Sequence, residues 1–242
     1  MNAPAAAGGT RRSVLMTAGS DSLLGEAVYK QLLDRIFTGR LPSGAPLSVP
    51  ALAAELQVSR SPVRDSVQRL VADGLAVHTP HAGARVAHVD AAEIADVFAV
   101  RELLDGYAAS AATVRATTAE VEKLVRLVED QKERLAAPAD ALNEARWDLE
   151  FHTAVRDLAG NRALSEALHR LDAKAHLYNS GLWSDDAERR FAVAEHAAIV
   201  HAIEVGDAAA AERAAAAHVA ALGVRMRRIQ GTTAGTYSPS GC

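Results

Sequence analysis

At 242 residues the chain is long enough for two modest domains, each with its own core. Its single cysteine, Cys242, excludes an internal disulfide framework and fits a reducing cytosol. No apolar run approaches the roughly 20 residues that span a bilayer, and residues 1–20 lack the long apolar core of a signal peptide. We therefore expect a soluble cytoplasmic protein with no membrane segment.

The formal net charge of −4 conceals an uneven distribution. Residues 1–88 hold nine Lys and Arg against six Asp and Glu, a balance of +3, whereas the remainder holds seventeen against twenty-four, a balance of −7. A basic N-terminal part on an acidic body is typical of a protein whose nucleic-acid binding is confined to one end. Ordinary scatter of charges would also produce this difference.

The first segments in chain order are a tail and a helix. Residues 1–20 are rich in Ala, Gly, Ser and Thr without periodicity, which predicts a disordered tail, and residues 231–242 predict another. Apolar residues at helical spacing predict the first helix over Ser22–Thr38. Leu41–Gly44 then links this helix to the elements that follow.

Two short helices separated by a tight turn are predicted next. Pro50–Gln57 carries leucines four residues apart beside small alanines, which form one apolar stripe. Val58 fills the turn, and Ser59 or Ser61 is placed to cap the following helix through its side-chain oxygen. That helix ends at Gly74.

The second of these helices has an apolar inner face and a polar outer face. The inner positions are Val63, Val67, Leu70 and Val71, and the outer side carries Arg60, Ser61, Arg64 and Arg69. Cationic and hydroxyl groups at the start of such a helix suit phosphates and the base edges of the major groove. Strands predicted at Leu75–Val77 and Ala84–Val86, around Pro80–Gly83, would form the hairpin of a winged helix-turn-helix.

Spacing alone leaves a second interpretation open, a helical hairpin in some other core with solvated arginines. The string Ser59-Arg60-Ser61-Pro62-Val63-Arg64-Asp65-Ser66-Val67, followed by Arg69-Leu70 and Gly74-Leu75, resembles the hallmark of the GntR family of bacterial transcriptional regulators. In that family it runs Ser-Arg-Thr-Pro-Val-Arg-Glu-Ala-Leu, then Arg-Leu and Gly-Leu. The resemblance implies a domain that binds double-stranded DNA, with candidate contacts at Arg60, Ser61, Arg64, Arg69, Ser59 and Gly83.

Two positions depart from the family pattern. Gln57 stands where the family usually has a glycine in the turn, so we expect it to adopt a left-handed conformation at some steric cost. At the wing tip, Pro80-His81-Ala82-Gly83 replaces the usual Pro-Gly-Arg-Gly, and an arginine is missing. The sequence therefore favours DNA contacts by Arg60 and Arg64 over contacts by the wing.

From His88 onward nothing alternates like a strand, and alanine dominates. The periodicity predicts six helices in an antiparallel bundle, near residues 91–115, 118–136, 139–159, 162–178, 185–206 and 208–229. The predicted fold class is therefore mainly α. It comprises a winged helix-turn-helix domain over residues 21–88 and an all-helical domain over residues 89–230.

Four residues of the second domain are spaced to hold a divalent metal ion. Asp148 and His152 lie four residues apart, on one helix face. His196 and His218 each lie eleven residues from Asp207, so in an antiparallel hairpin turning there both stand about 16 Å from the turn. One Asp and three His suit Zn, Ni, Mn or Fe. A helix histidine is more often an ordinary surface or core residue, and the chain has nine.

The same region resembles the FCD domain that accompanies GntR-type heads in the FadR subfamily. The family's Asp-x-x-Phe-His, Gly-Asn, Glu-His and last-helix His match Asp148-Leu149-Glu150-Phe151-His152, Gly160-Asn161, Glu195-His196 and His218. The resemblance implies an all-helical domain in which many members bind a metal through one Asp and three His. Six helices rather than seven place the chain nearer the VanR-like branch.

This resemblance also implies a small organic-acid effector whose carboxylate lies on or beside the metal. Arg101 resembles an arginine that the family often points into this cavity, and Asn179 and Tyr178 are further candidates for the effector pocket. A salt bridge with Asp105, four residues along the helix, is the alternative role for Arg101.

The sequence thus favours a transcription regulator, which we expect to be a repressor that binds a palindromic operator as a homodimer. Two alternatives are a metal-responsive regulator and a metal-dependent hydrolytic enzyme. An enzyme would need a placed general base, but Glu150 points to another face than Asp148, and Glu195 diverges from His196. We therefore do not expect an enzyme.

Overall fold

The computed structural model describes the backbone of residues 11–37, 39–79, 83–178 and 182–234. Contacts divide the chain into two compact units. Unit 1 comprises the residues up to Ile36 together with Leu41–Ala87, and unit 2 comprises Phe37–Arg40 together with the residues from His88 onward.

Unit 1 is a winged helix-turn-helix, as predicted. Its elements in chain order are α1 (Arg11–Phe37), α2 (Val49–Leu56), α3 (Arg60–Ala72), β1 (Ala76–Thr79) and β2 (Gly83–Val86). The two strands pair antiparallel, with Ala76 opposite Val86 and Thr79 opposite Gly83. Leu32 of α1 and Val63 and Leu70 of α3 are completely buried, so the apolar faces of these helices form the core of the unit.

The turn between α2 and α3 has the predicted left-handed residue. Gln57 has a φ of 56°, and its backbone N–H donates to the carbonyl groups of Ala53 and Ala54 at the end of α2. Gly74, with a φ of 75°, follows α3 in the same way. Glycine adopts this conformation freely, whereas a glutamine Cβ makes it strained.

Three local predictions for unit 1 need correction. Helix α1 begins at Arg11, so residues 11–20, expected to be a tail, are helical, in keeping with the helix-forming Arg, Leu, Met and Ala among them. Ser59 occupies the N-cap position of α3, but its side chain accepts no capping hydrogen bond, and Ser61 lies inside the helix. Leu75 precedes β1, because its N–H donates to the carbonyl of Leu70 and completes the end of α3. The wing-tip residues 80–82 lie outside the described residues.

Unit 2 is a helical bundle. In the part of the chain that the structure describes, it consists of α4 (Ala91–Arg115), α5 (Thr118–Arg134), α6 (Ala141–Leu158), α7 (Arg162–Tyr178), α8 (Asp186–Glu204) and α9 (Ala208–Ala234), with a 3-10 turn at Leu182–Ser184. The six predicted helices and the mainly α fold class are confirmed. Residues 231–234, expected to belong to a tail, are helical instead, since α9 continues to Ala234, and residues 235–242 lie outside the described residues.

Helix α4 runs through the middle of the bundle, packed along α9 and against α6 and α7. Small residues allow this close packing, since a Cβ at Gly223 of α9 would lie 2.9 Å from the Phe98 ring of α4. Several polar side chains are nevertheless buried in this interior, among them Arg101, Asp105, Gln131, Asp148, His152, Arg156, Asp172, His176, His196 and His218. Buried groups of this kind require partners, and they define the candidate site.

Candidate metal centre and nucleic-acid interface

Helices α6, α8 and α9 bring four potential metal ligands together, here called the tetrad: Asp148, His152, His196 and His218. Each offers one ligand atom, these atoms all lie within 4.8 Å of one another, and all four residues are buried. The rings of His196 and His218 have their centroids 4.8 Å apart. The hairpin between α8 and α9 therefore brings its two histidines together, with their rings inclined at 62°, as their equal separation from Asp207 predicts.

The ligand atoms that converge are one carboxylate oxygen and the Nε2 atoms of the histidines. The Nε2 atoms of His152 and His218 are 3.2 Å apart. Oδ1 of Asp148 lies 3.5 Å from Nε2 of His196 and 3.7 Å from Nε2 of His152. One oxygen and three imidazole nitrogens are a donor set that divalent zinc and its neighbours accept.

In the described part of the chain, the unpaired buried atoms of the tetrad and the lowered pKa values of two of its histidines also fit a bound cation. Oδ1 of Asp148 and Nε2 of His196 are buried, and neither has a hydrogen-bond partner among the described residues. Burial lowers the pKa of His196 to about 4, against the opposing effect of its contact with Asp148, and burial also lowers the pKa of His152 well below its ordinary value. At neutral pH these imidazoles are therefore neutral, which is the form that binds metals.

The second ring nitrogens of two tetrad histidines have close partners that the sequence reasoning missed. Nδ1 of His196 lies 3.0 Å from Oε1 of Gln131 on α5. Nδ1 of His218 lies 2.7 Å from Oε2 of Glu195, which Arg225 holds through two hydrogen bonds of 2.8 and 2.7 Å. The Glu-His pair in the sequence draws attention to Glu195, but it does not indicate that the partner of Glu195 is His218. Nothing in the local pattern indicates Gln131.

A network of buried ions adjoins the tetrad. Arg101, predicted either to bind an effector or to pair with Asp105, contacts Asp105 at 3.2 Å and Asp172 at 3.0 Å. Arg156 also pairs with Asp172. The predicted i,i+4 ion pair is therefore present, in the interior rather than on the surface. Tyr178 is buried in the core of the bundle, and Asn179 lies outside the described residues.

On unit 1, the outer face of α3 presents the predicted DNA contacts. Arg60, Ser61 and Arg64 are exposed, as are Ser59 and Gly83. Arg69 is differently placed. It pairs with Glu26 of α1 at 2.5 Å and stacks 3.7 Å from the centre of the Tyr29 ring.

A cleft of about 360 Å³ separates α3 from the wing. Arg64, Gln68 and His78 line it, and Gln68 and His78 were not singled out from the sequence. Gln68 lies one turn after Arg64 on the exposed face of α3, a spacing that would have indicated it.

These features define a class of protein, a winged-helix DNA-binding head on a helical domain with a buried Asp/His cluster. Two family models match the same two parts of the chain: bacterial regulatory proteins of the gntR family over residues 24–86, and the FCD domain over residues 96–221. The chain belongs to the GntR family, in the group whose C-terminal domain is an FCD domain.

Curated relatives span nearly the whole chain. A probable D-xylose utilization operon transcriptional repressor of Paenarthrobacter nicotinovorans is 32% identical over 210 residues, which cover 85% of this chain and 92% of the relative. An uncharacterized HTH-type transcriptional regulator in an unstable DNA locus of Streptomyces ambofaciens is 31% identical over 210 residues, covering 84% and 85%.

Among solved structures, E. coli McbR/YncC has a TM-score of 0.77 at 20% identity, covering 86% of this chain and 98% of that protein, and so shares the fold. The two family models and the curated relatives show that the chain is a transcription regulator. Within the described residues, no helix has both the length and the apolar character needed to cross a membrane.

Proposed function

We propose that this regulator binds a palindromic operator as a homodimer and represses transcription until a small organic acid reaches a divalent metal ion held by the tetrad. The observation that carries the proposal is the buried tetrad of unit 2 in a chain whose unit 1 exposes Arg60 and Arg64 on α3. The tetrad would bind the ligand that controls the regulator, and the arginines of α3 would bind the operator DNA.

Operator binding would depend on the first turns of α3. Arg60, Ser61 and Arg64 are exposed there, and a guanidinium can donate two hydrogen bonds to one guanine, a contact that contributes about 1–3 kcal/mol of discrimination. Ser59 and Gly83 would add contacts to the phosphate backbone. We assign Arg69 to the fold rather than to the operator, because Glu26 and Tyr29 already engage its guanidinium.

A twofold axis would give the dimer two α3 helices for two half-sites of a palindrome. Repression is supported by the P. nicotinovorans relative, which is described as a probable transcriptional repressor. Light scattering of the purified protein should give the mass of two chains, and footprinting should protect two half-sites about one helical turn of DNA apart. A monomer bound to a single half-site would contradict this part of the proposal.

At the tetrad, Asp148, His152, His196 and His218 would hold the ion. Bound there, a divalent metal supplies positive charge and open coordination positions, both of which suit a carboxylate. Arg101 already shares its guanidinium between two carboxylates, so we propose that it balances charge beside the site while the metal takes the effector's acid group. Glu195 is held by Arg225 and His218, which leaves it poorly placed as a general base.

Gel shifts on the DNA beside the protein's own gene test whether Arg60 and Arg64 bind the operator. Arg60→Ala and Arg64→Ala should each weaken specific binding by about tenfold or more, the equivalent of one lost base contact. Lys30→Ala, which removes an exposed charge from α1, is the matched control and should bind like wild type. Equal binding by wild type and both arginine variants, or no preference over competitor DNA, would refute the assignment.

The same assay tests whether a small carboxylate controls operator binding through the tetrad. A panel of small carboxylates should release operator DNA from the metal-loaded wild type but not from His218→Ala. Release by metal alone, with no carboxylate effect, would show instead a regulator that senses the ion itself. Carboxylates that release both proteins equally would exclude the tetrad as the effector site.

A further inference from the structure

The tetrad histidines differ in what holds their outer ring nitrogens. His196 and His218 are each met at Nδ1 by a hydrogen-bonding oxygen, at 3.0 and 2.7 Å. Nδ1 of His152 faces Oδ1 of Asp105 at 3.8 Å, which is beyond hydrogen-bond distance. Two of the three rings are therefore fixed from behind, and the third is held more loosely.

The chemistry of the partners decides which nitrogen of each fixed ring carries the proton. Arg225 engages both oxygens of the Glu195 carboxylate, so this group is ionised and can only accept from His218. Gln131 donates through Nε2 to the carbonyl of Trp147 at 3.0 Å, so its Oε1 is the atom that faces His196. Both histidines must then donate from Nδ1, and in the neutral imidazole this tautomer leaves a lone pair on Nε2.

Those lone pairs point to where the ligand atoms of the tetrad converge. Nε2 of His196 is buried without a hydrogen-bond partner among the described residues, and Nε2 of His218 lies 3.2 Å from that of His152. An ion placed there would meet two imidazoles already in the binding tautomer. Neither ring would have to rotate or change its tautomer before it bound the ion.

We propose that Gln131 and Glu195 are positioning residues, which set His196 and His218 for metal binding before an ion arrives. This inference rests on the proposed metal site and adds to it two residues that orient the ligands, with effects of different size. Glu195, a charged acceptor tied by Arg225 to α9, acts more strongly than Gln131, a neutral acceptor tied to α6 through Trp147.

The first test uses the metal-free wild-type protein and no substitution. Proton–nitrogen correlation spectra of the histidine rings should show the Nδ1–H form for His196 and His218 before any metal is added. Both rings should keep the Nδ1–H form when Zn²⁺ is added. An Nε2–H form at either ring in the metal-free protein would overturn the proposal.

The second test measures affinity for Zn²⁺ by competition with a coloured chelator. Glu195→Gln should weaken binding about tenfold and Glu195→Ala more, up to about 100-fold, whereas Gln131→Leu should weaken it less than Glu195→Ala, by about tenfold. Glu150→Gln is the control, since Glu150 is an exposed carboxylate on the tetrad helix α6. The melting temperature of each metal-free variant and the visible spectrum with Co²⁺ separate a change at the ligands from a general loss of folding.

The outcomes are distinguishable. Weaker Zn²⁺ binding and an altered Co²⁺ spectrum in folded variants support the proposal. Variants that melt lower but bind Zn²⁺ as tightly as Glu150→Gln would make Gln131 and Glu195 purely structural and overturn it. Wild type that fails to compete with the chelator would instead refute the metal site itself, and this inference would fall with it.

Discussion

Replacing Arg101 by Met tests how unit 2 maintains charge in its interior. The Arg101 side chain is 2% exposed and pairs with Asp105 at 3.2 Å and Asp172 at 3.0 Å, both also buried. Met fills a similar volume without a charge. The substitution therefore leaves Asp105 without its cation, while Asp172 keeps only Arg156.

The expected loss follows from the burial. Removing one partner of a buried ion pair destabilises a protein by about 3–5 kcal/mol, because the remaining charge stays desolvated. Domains of this kind have a free energy of unfolding of about 5–15 kcal/mol, so the variant should lose a large share of its stability. Arg126 provides a matched control, since it pairs with Glu122 at the same i,i+4 spacing but both side chains are about 60% exposed. Arg126→Met should change stability by no more than about 0.5 kcal/mol.

Urea unfolding of the metal-free proteins, followed by circular dichroism, gives both free energies under the same conditions. Metal-free protein is required because an ion at the nearby tetrad would add its own stabilisation to the folded state. If Arg101→Met lost no more stability than Arg126→Met, the buried network would contribute nothing of note to the fold. The assignment of Arg101 to charge balance would then be wrong.

Three further substitutions test local features by the same urea unfolding. Gln57→Gly should stabilise the protein by about 0.5–1 kcal/mol, since it relieves a left-handed backbone at φ 56°; a loss would show that the Gln57 side chain makes a needed contact. Tyr29→Phe should destabilise it by about 1–2 kcal/mol by removing the 2.6 Å hydrogen bond to Asp73, and an unchanged midpoint would contradict this. Gly223→Ala should also destabilise, by about 1–2 kcal/mol, because its Cβ would lie 2.9 Å from the Phe98 ring; a more stable variant would show that the ring moves aside readily.

The parts that the sequence predicts correctly follow from short-range pattern. The periodicity of apolar residues and the positions of helix-breaking Gly and Pro predict the helices of unit 2, because both are local properties of the sequence. The approach of His196 to His218 was also predictable, since a hairpin turn relates two positions of one continuous stretch. The left-handed conformation of Gln57 was implied instead by the family resemblance, since the family usually has a glycine at this position of the turn.

The parts that escape prediction depend on residues distant in the sequence. Gln131 meets His196 across 65 positions, and Arg69 meets Glu26 across 43. Amphipathic reasoning assigns polar residues to the solvent side of a helix, so a glutamine or an arginine is expected to be exposed. Gln131 departs from that expectation because it is buried, whereas Arg69 is exposed as expected, and what the pattern does not indicate is its pairing with Glu26 of α1.

The buried charges of unit 2 form two connected sets rather than independent pairs. Asp105 belongs to the ion network through Arg101 and faces His152 of the tetrad at 3.8 Å. His176 similarly faces Asp148, with its Nε2 3.8 Å from Oδ2. Because interactions between buried charges are weakly screened, a cation at the tetrad changes the potential at both carboxylates of the network. A metal ion bound at the proposed site would therefore be coupled to the stability of the bundle, and the proposed control by a ligand requires such coupling.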